Sequence, residues 1–176
     1  MPGPVTDPRA AALLCRHREA FPGPGLPVPV EAIAEDLLGL RVLDGALHCS
    51  GLLLPAEREI WVNEAETAAS PGRRRFTIAH ELGHWVCQVC EGHSAPVYCR
   101  DTDLAEAADR ALEREANVFA AELLMPEPDV RGAFAAAGSV AAVAERFGVS
   151  AEAMHWRLYN FGLAGRPDAR EQHAPA

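Results

Sequence analysis

Two histidines four residues apart, with a glutamate directly after the first, are the side chains of this sequence best spaced to do chemistry: His80-Glu81-Leu82-Gly83-His84. On an α-helix residues i and i+4 lie about 40° apart around the axis and one turn apart along it, so both imidazoles can aim at one ion. Glu81 then stands beside the first histidine, placed to take a proton from a metal-bound water rather than to bind the metal. Such a motif also arises by chance, so it counts as a site only if the chain supplies a third ligand. Zinc with three protein ligands and one open position is the catalytic arrangement, and the third ligand should come from a separate element packed on the motif helix.

The run from Asp103 to Leu124 has helical composition and stops at Met125-Pro126-Glu127-Pro128, where proline cannot continue a helix. It offers Asp109, Glu113, Glu115 and Glu122. At about 100° per residue, Leu112, Phe119, Ala120 and Leu123 gather into one apolar stripe around Ala116. Glu113 falls at the edge of that stripe, whereas Glu115 and Glu122 fall about 100° and 120° from Ala116 on the other side. Glu113 also stacks over Ala116, Asn117 and Ala120, small or polar residues that let another helix come close. Glu113 is therefore the preferred third ligand. Asp109 rivals it in angle with a shorter side chain, and Glu115 is its main competitor. For Asn117 two roles stay open, orienting a ligand or capping a packing contact.

Two stretches carry a family resemblance: Arg75-Phe76-Thr77-Ile78-Ala79-His80-Glu81-Leu82-Gly83-His84, and Glu113-Arg114-Glu115-Ala116-Asn117 continuing to Pro126. Together they resemble the ImmA/IrrE family of zinc metallo-endopeptidases, over roughly Val28 to Leu163. The resemblance implies a gluzincin-like fold with a small twisted sheet on the motif helix, a soluble bacterial protease, and Glu113 as the glutamate of E-x-x-A-N. It further implies, as partner, a protein substrate of the helix-turn-helix transcriptional regulator type. The function expected is hydrolysis of a peptide bond by a Zn²⁺-activated water, with His80, His84 and Glu113 as metal ligands and Glu81 as general base. Tyr98 and His93 are candidates for a second donor to the oxyanion. The competing reading is a zinc-bearing antirepressor that binds a regulator without cutting it; the intact Glu81 favours the protease.

The elements that must position these residues follow from local signals. Residues 1–8 carry three prolines and read as frayed, and Arg9 to Ala20 reads as a helix. Phe21 to Pro29 is a Pro-rich connector, and Val30 to Leu38 is a short helix stopped by Gly39. Leu40–Leu47, Gly51–Leu54 and Glu59–Val62 read as three antiparallel strands with turns at Asp44-Gly45, Ser50-Gly51 and 55–58. Ser70 as N-cap and Pro71 at the first helical position start the motif helix. The chain from Cys87 to Thr102 reads as a loop, and three short helices near 129–137, 139–147 and 150–161 precede a polar tail. The fold class is thus α+β and gluzincin-like, a three-stranded antiparallel sheet packed on the H-E-x-x-H helix with helix-turn-helix-like C-terminal helices. Its expected divisions are 1–27 (helix and connector), 28–136 (zinc metallopeptidase domain), 137–164 (helix-turn-helix-like) and 165–176 (disordered tail).

Composition narrows the function classes. The chain has 176 residues and a net charge of −9, and all 16 of its basic residues are arginine. That balance argues against broad nucleic-acid binding, which needs clustered positive charge. No apolar run reaches the length of a membrane span, and Ala10–Leu14, followed at once by Cys15-Arg16-His17-Arg18, is too short and charged for a signal peptide. A cytoplasmic location is expected, with the 5 cysteines as thiols. Cys87, Cys90, His93 and Cys99 have spacing suited to a second, structural zinc, but no second C-x-x-C supports it and free thiols are the reading. Arg73-Arg74-Arg75 reads as a solvated helix start. The Val140–Leu163 segment, whose last helix holds Arg157 as its one arginine, reads as packing or substrate docking rather than as a DNA reader.

Overall fold

The computed structural model describes residues 6–92, 98–99 and 107–167. Asp7, read as frayed from the prolines around it, is the N-cap of α1 (Pro8–Ala20): its carboxylate accepts from the Arg9 backbone N–H, and Pro8 opens the helix. This is the capping chemistry that Asp and Pro favour at these two positions. Ala10, Leu13 and Leu14 bury the inner face of α1, which packs on α5 (Ala107–Leu124). α2 (Val30–Ala32) continues as a π turn, Ile33–Leu37, before Gly39.

The sheet holds β1 (Arg41–Gly45), β2 (Gly51–Leu54), β3 (Glu59–Asn63) and the short β4 (Tyr98–Cys99) in the order β1-β3-β2-β4. β2 pairs antiparallel with both β3 and β4, with Leu53 opposite Ile60 and Leu52 opposite Cys99. β1 pairs parallel with β3, Arg41 opposite Glu59 and Gly45 opposite Asn63. The expected all-antiparallel sheet is therefore corrected to a mixed one, and Asp44-Gly45 is no hairpin turn. The physical reason lies in Asn63. Its amide donates to the carbonyls of Leu47 (2.9 Å) and Cys49 (3.1 Å), and its backbone N–H donates to Ser50 (3.0 Å). These bonds fix a crossover that carries the chain past the position β3 will fill. The same side chain caps α3 (Glu64–Ala69) through Oδ1.

Leu53, Ile60 and Val62 present one fully buried sheet face, as the period of two along a strand requires. Against the sheet lies α4 (Pro71–His84), capped by Ser70 with Pro71 at its first position. Every residue from Thr77 to His84 is buried, so the second half of this helix is enclosed all round. The helix does not end in a loop at Cys87 as expected: a π turn, Trp85–Val89, extends it. Arg73 pairs with Glu66, and Arg74 with Glu31 and Asp44. Arg75, expected in solvent, is half-buried and donates to the Val28 carbonyl at 2.8 Å.

α6 (Glu127–Ala137), α7 (Val140–Phe147) and α8 (Ala151–Asn160) follow, the last pair forming a helix-turn-helix-like unit about Gly148 to Ser150. One contiguous core runs through all these parts, from Leu14 of α1 through Ile78 and Phe119 to Phe147 and Leu158. None of the described helices is long and apolar enough to cross a membrane.

Candidate metal centre

The motif helix and the helix that answers it meet through small residues. A Cβ on Gly83 would lie 2.9 Å from Ala116 Cα and 3.0 Å from its carbonyl oxygen, so α4 and α5 touch backbone to backbone there. This close approach is what the small residues around Ala116 predict, and it brings a Glu113 carboxylate within reach of both histidines. Glu113 Oε2 lies 3.2 Å from His80 Nε2, Glu113 Oε1 lies 3.0 Å from His84 Nε2, and the two Nε2 atoms lie 3.0 Å apart. Among the described residues, His80, His84 and Glu113 form the group of His, Cys, Asp and Glu side chains whose ligand atoms cluster this tightly. Cys87 is buried with its thiol pushed up to about 12, chiefly by burial, and Cys90 is exposed. His93 lies outside the described residues, as do the side chains of Cys99, Tyr98 and Asp109.

A metal fits this group on three counts. Tetrahedral coordination with bonds of about 2.0–2.1 Å holds ligand atoms about 3.3 Å apart, close to the separations seen. Each imidazole is also set in one tautomer. His80 Nδ1–H donates to Asn117 Oδ1 at 3.1 Å and His84 Nδ1–H to Gln88 Oε1 at 2.6 Å; an amide oxygen can only accept, so Nδ1 keeps its proton and Nε2 is the atom that would offer a lone pair to a metal once the proton it shares with Glu113 in the metal-free site has left. Asn117 thus holds the His80 ring by a hydrogen bond, as the orienting role would require. Finally, the charges suit a cation. Burial pushes the Glu113 pKa up but is outweighed by the His80 and His84 hydrogen bonds, leaving it well below the usual carboxylate range. His84 feels burial downward and, more strongly in sum, Glu113, Glu81 and Gln88 upward, for a net rise.

Glu81 is buried beside this group, at 1% exposure. Its Oε1 would lie 2.7 Å from a Cβ on Gly51, and the Thr77 methyl 2.5 Å from it, so only glycine leaves room there for the carboxylate. β2 begins at Gly51; the strand, not the helix, shapes the pocket of the acid. A cavity of about 880 Å³ opens one helical turn before His80, walled by Phe76 and Thr77 of α4, Ser50, Leu124 and Val149.

The residues competing with Glu113 have other partners. Glu115 accepts from Gln88 Nε2 (3.1 Å) and from Arg9 Nη2 (2.7 Å). Glu122, placed off the buried stripe by its angle, is buried at 5% exposure in an ion pair with Arg157 of α8. The stripe is wider than the angular reading because α1 and α8 cover further sides of α5. Sequence reasoning missed Gln88, Arg9 and Gly51. The signal for Gln88 was its position four residues after His84, which reads as a partner only once the helix is known to continue through it.

Two histidines on one enclosed helix, joined by a carboxylate from the next, form a group that could hold a metal ion on this α+β scaffold. Residues 44–159, well over half of the chain, match the peptidase M78 family, described as the IrrE N-terminal-like domain; the chain belongs to that family. Over 104 residues it is 33% identical to the radiation response metalloprotease IrrE of Deinococcus radiodurans, a match covering 59% of this chain and 27% of that protein. The matched part thus spans about a quarter of that relative's length. A solved structure described as a Mycobacterium tuberculosis transcriptional regulator shares the fold at TM-score 0.62 and 23% identity, over 86% of this chain and 46% of the other.

Proposed function

We propose that this chain is a zinc-dependent endopeptidase, with His80, His84 and Glu113 as the ligands of Zn²⁺ and Glu81 as the general base. The observation that carries the reading is the convergence of both Nε2 atoms and the Glu113 carboxylate at separations of 3.0 to 3.2 Å, with Glu81 buried alongside. When bound there, zinc supplies a Lewis acid that polarises the scissile carbonyl and brings the pKa of water down to about 7. Glu81 accepts the proton of the attacking water and hands it to the leaving amine, a transfer its enclosure by Gly51 and Thr77 keeps in register. His80 and His84 are held in the ligating tautomer by Asn117 and Gln88. The cavity walled by Phe76 and Thr77 does not include the three ligands or Glu81 in its lining; one helical turn from His80, it is suited to a substrate side chain that flanks the cut.

The substrate we infer is a transcriptional regulator of the helix-turn-helix type, in keeping with the family resemblance; the metalloprotease name of the Deinococcus relative supports the peptidase part. A reducing, cytoplasmic setting suits the free thiols of Cys15, Cys49, Cys87 and Cys90. Incubation with the product of a neighbouring regulator gene tests the reading. Wild type with Zn²⁺ yields a discrete cut, chelator abolishes it, and Glu81→Gln binds zinc yet leaves the regulator whole. Tight binding to the regulator with no cut by wild type would favour a sequestering antirepressor instead, and wild-type cleavage by Glu81→Gln would remove Glu81 from its role.

A further inference from the structure

The N-terminal helix α1 precedes the 44–159 family match, yet a line of hydrogen bonds runs from it to a metal ligand. We propose that Arg9 is a positioning residue for His84, acting through Glu115 and Gln88, so that α1 forms part of the metal centre. The inference rests on the metal-site reading above.

The line begins at His84, whose Nδ1–H donates to Gln88 Oε1 at 2.6 Å. A carboxamide has two similar ends, and its orientation decides the tautomer of the ring it faces. With the oxygen toward His84 the ring hydrogen sits on Nδ1 and Nε2 can ligate. With the amide turned round, the NH₂ end would demand a lone pair from Nδ1, place the ring hydrogen on Nε2 and block ligation. Gln88 is fully buried, so no water corrects the choice. What selects it is Glu115: its Oε2 accepts from Gln88 Nε2 at 3.1 Å, and an ionised carboxylate can face only the donor end.

Glu115 in turn needs a fixed orientation, because it sits on the rim of the core at 35% side-chain exposure. Arg9 supplies it. Nη2 donates to Glu115 Oε1 at 2.7 Å, while Asp7 takes Nε and a second bond from Nη2 at 3.1 and 2.8 Å, and Glu91 takes Nη1 at 2.9 Å. All three guanidinium nitrogens are thereby engaged, and the planar group cannot turn without breaking several charge-assisted bonds. His80 needs no such chain, since Asn117 of α5 reaches it directly.

Arg9 is not needed merely to dock the helix. Ala10, Leu13 and Leu14 bury the face of α1, and Arg18 makes a separate ion pair to Asp129 at 2.6 Å that does not lead to the centre. Arg18 is therefore the control. The full chain, wild type and Arg9→Met, Arg9→Lys, Arg18→Met, Gln88→Leu and the Arg9→Met/Gln88→Leu double variant, is titrated with Zn²⁺ against a chromophoric chelator, and the visible bands of the Co²⁺-loaded forms are recorded. Loss of such partners lowers metal affinity about 10- to 100-fold. We expect Gln88→Leu within that range and Arg9→Met near its lower end, with altered Co²⁺ bands in both, partial recovery in Arg9→Lys, and no change in Arg18→Met. The double variant binds no more weakly than Gln88→Leu, because residues acting in series do not add. Unchanged affinity in Arg9→Met, an equal loss in Arg18→Met, or losses that multiply in the double variant would each overturn the proposal. If Gln88→Leu does not fold, the half-buried Arg9 and the exposed Arg18 decide it between them. Wild type with no affinity for Zn²⁺ would overturn the metal-site reading and this proposal with it.

Discussion

His84 is under opposed pulls, and their balance has consequences that can be measured. Burial lowers its pKa, but the hydrogen bond to Glu113, the charge of Glu81 and the Gln88 amide together raise it above 6.5. Glu113 is shifted the other way: burial raises it, and the two histidines bring it well below its ordinary 4.5. In the metal-free protein a raised histidine contributes stability that is fully present below about pH 6.5 and lost as pH rises through the folded-state value. A depressed carboxylate contributes stability that is present above about pH 4.5 and lost as pH falls through its folded-state value. The centre therefore adds most to metal-free stability between about pH 4.5 and 6.5. Metal affinity has the opposite slope, since the ion and the proton compete for the same nitrogens. The melting temperature of chelator-treated protein is expected to fall from about pH 6 to 8 while the rise in Tm on adding Zn²⁺ grows over the same range. A metal-induced rise that shrinks with pH would count against His84 as a ligand.

At the scale of elements, the centre depends on one helix crossing and one strand start. Gly83 against Ala116 sets the distance between α4 and α5, and the two helices bring the three candidate ligands together. Gly83→Ala places a Cβ 2.9 Å from Ala116 Cα, against backbone that cannot swing aside. Overpacking of this kind costs about 1–3 kcal/mol; urea denaturation should show that loss, and chelator competition a weaker hold on zinc, because the ligands come from both sides of the crossing. Gly51→Ala meets instead the Thr77 methyl and the Glu81 carboxylate at 2.5 and 2.7 Å. Under the proposed function its expected signature is a fall in kcat with zinc retained, since it disturbs the proposed base and not the proposed ligands. These contrasts show what the sequence made legible and what it did not. The motif helix, its Ser70-Pro71 start and the inward edge of Glu113 are written in local spacing, where a helix period and a cap suffice. The parallel pairing of β1 with β3 is not, because it depends on Asn63 reaching back to the Leu47 and Cys49 carbonyls. Gln88 was hidden likewise, since nothing local announces that the helix runs on past Trp85 as a π turn.

For the whole molecule, α5 is the shared member. Its Glu113 and Asn117 face the candidate metal centre, Glu115 meets α1, and Glu122 meets α8, so one helix couples the N-terminal and C-terminal parts to that site. The Glu122 contact also takes the one arginine of α8 out of solvent: Arg157 is 3% exposed, bonded to Glu122 and to the Met125 carbonyl at 3.0 Å, and stacked 4.4 Å over the Phe161 ring. Burial acts as the largest influence on both partners of the pair, raising Glu122 and lowering Arg157 against their mutual attraction. A buried pair of this kind adds little net stability, because taking both charges out of water offsets their attraction, whereas removing one partner alone is costly. Arg157→Met alone strands a buried carboxylate and is expected to cost about 3–5 kcal/mol. Adding Glu122→Leu removes the stranded charge, and the double variant should recover most of that loss in urea denaturation at neutral pH. Because protonation neutralises the stranded Glu122, the deficit of the single variant should also shrink toward acid pH. If the double variant is no more stable than the single, or the deficit is flat with pH, the cost lies in lost packing against Phe161 and Met125 and not in the uncompensated charge.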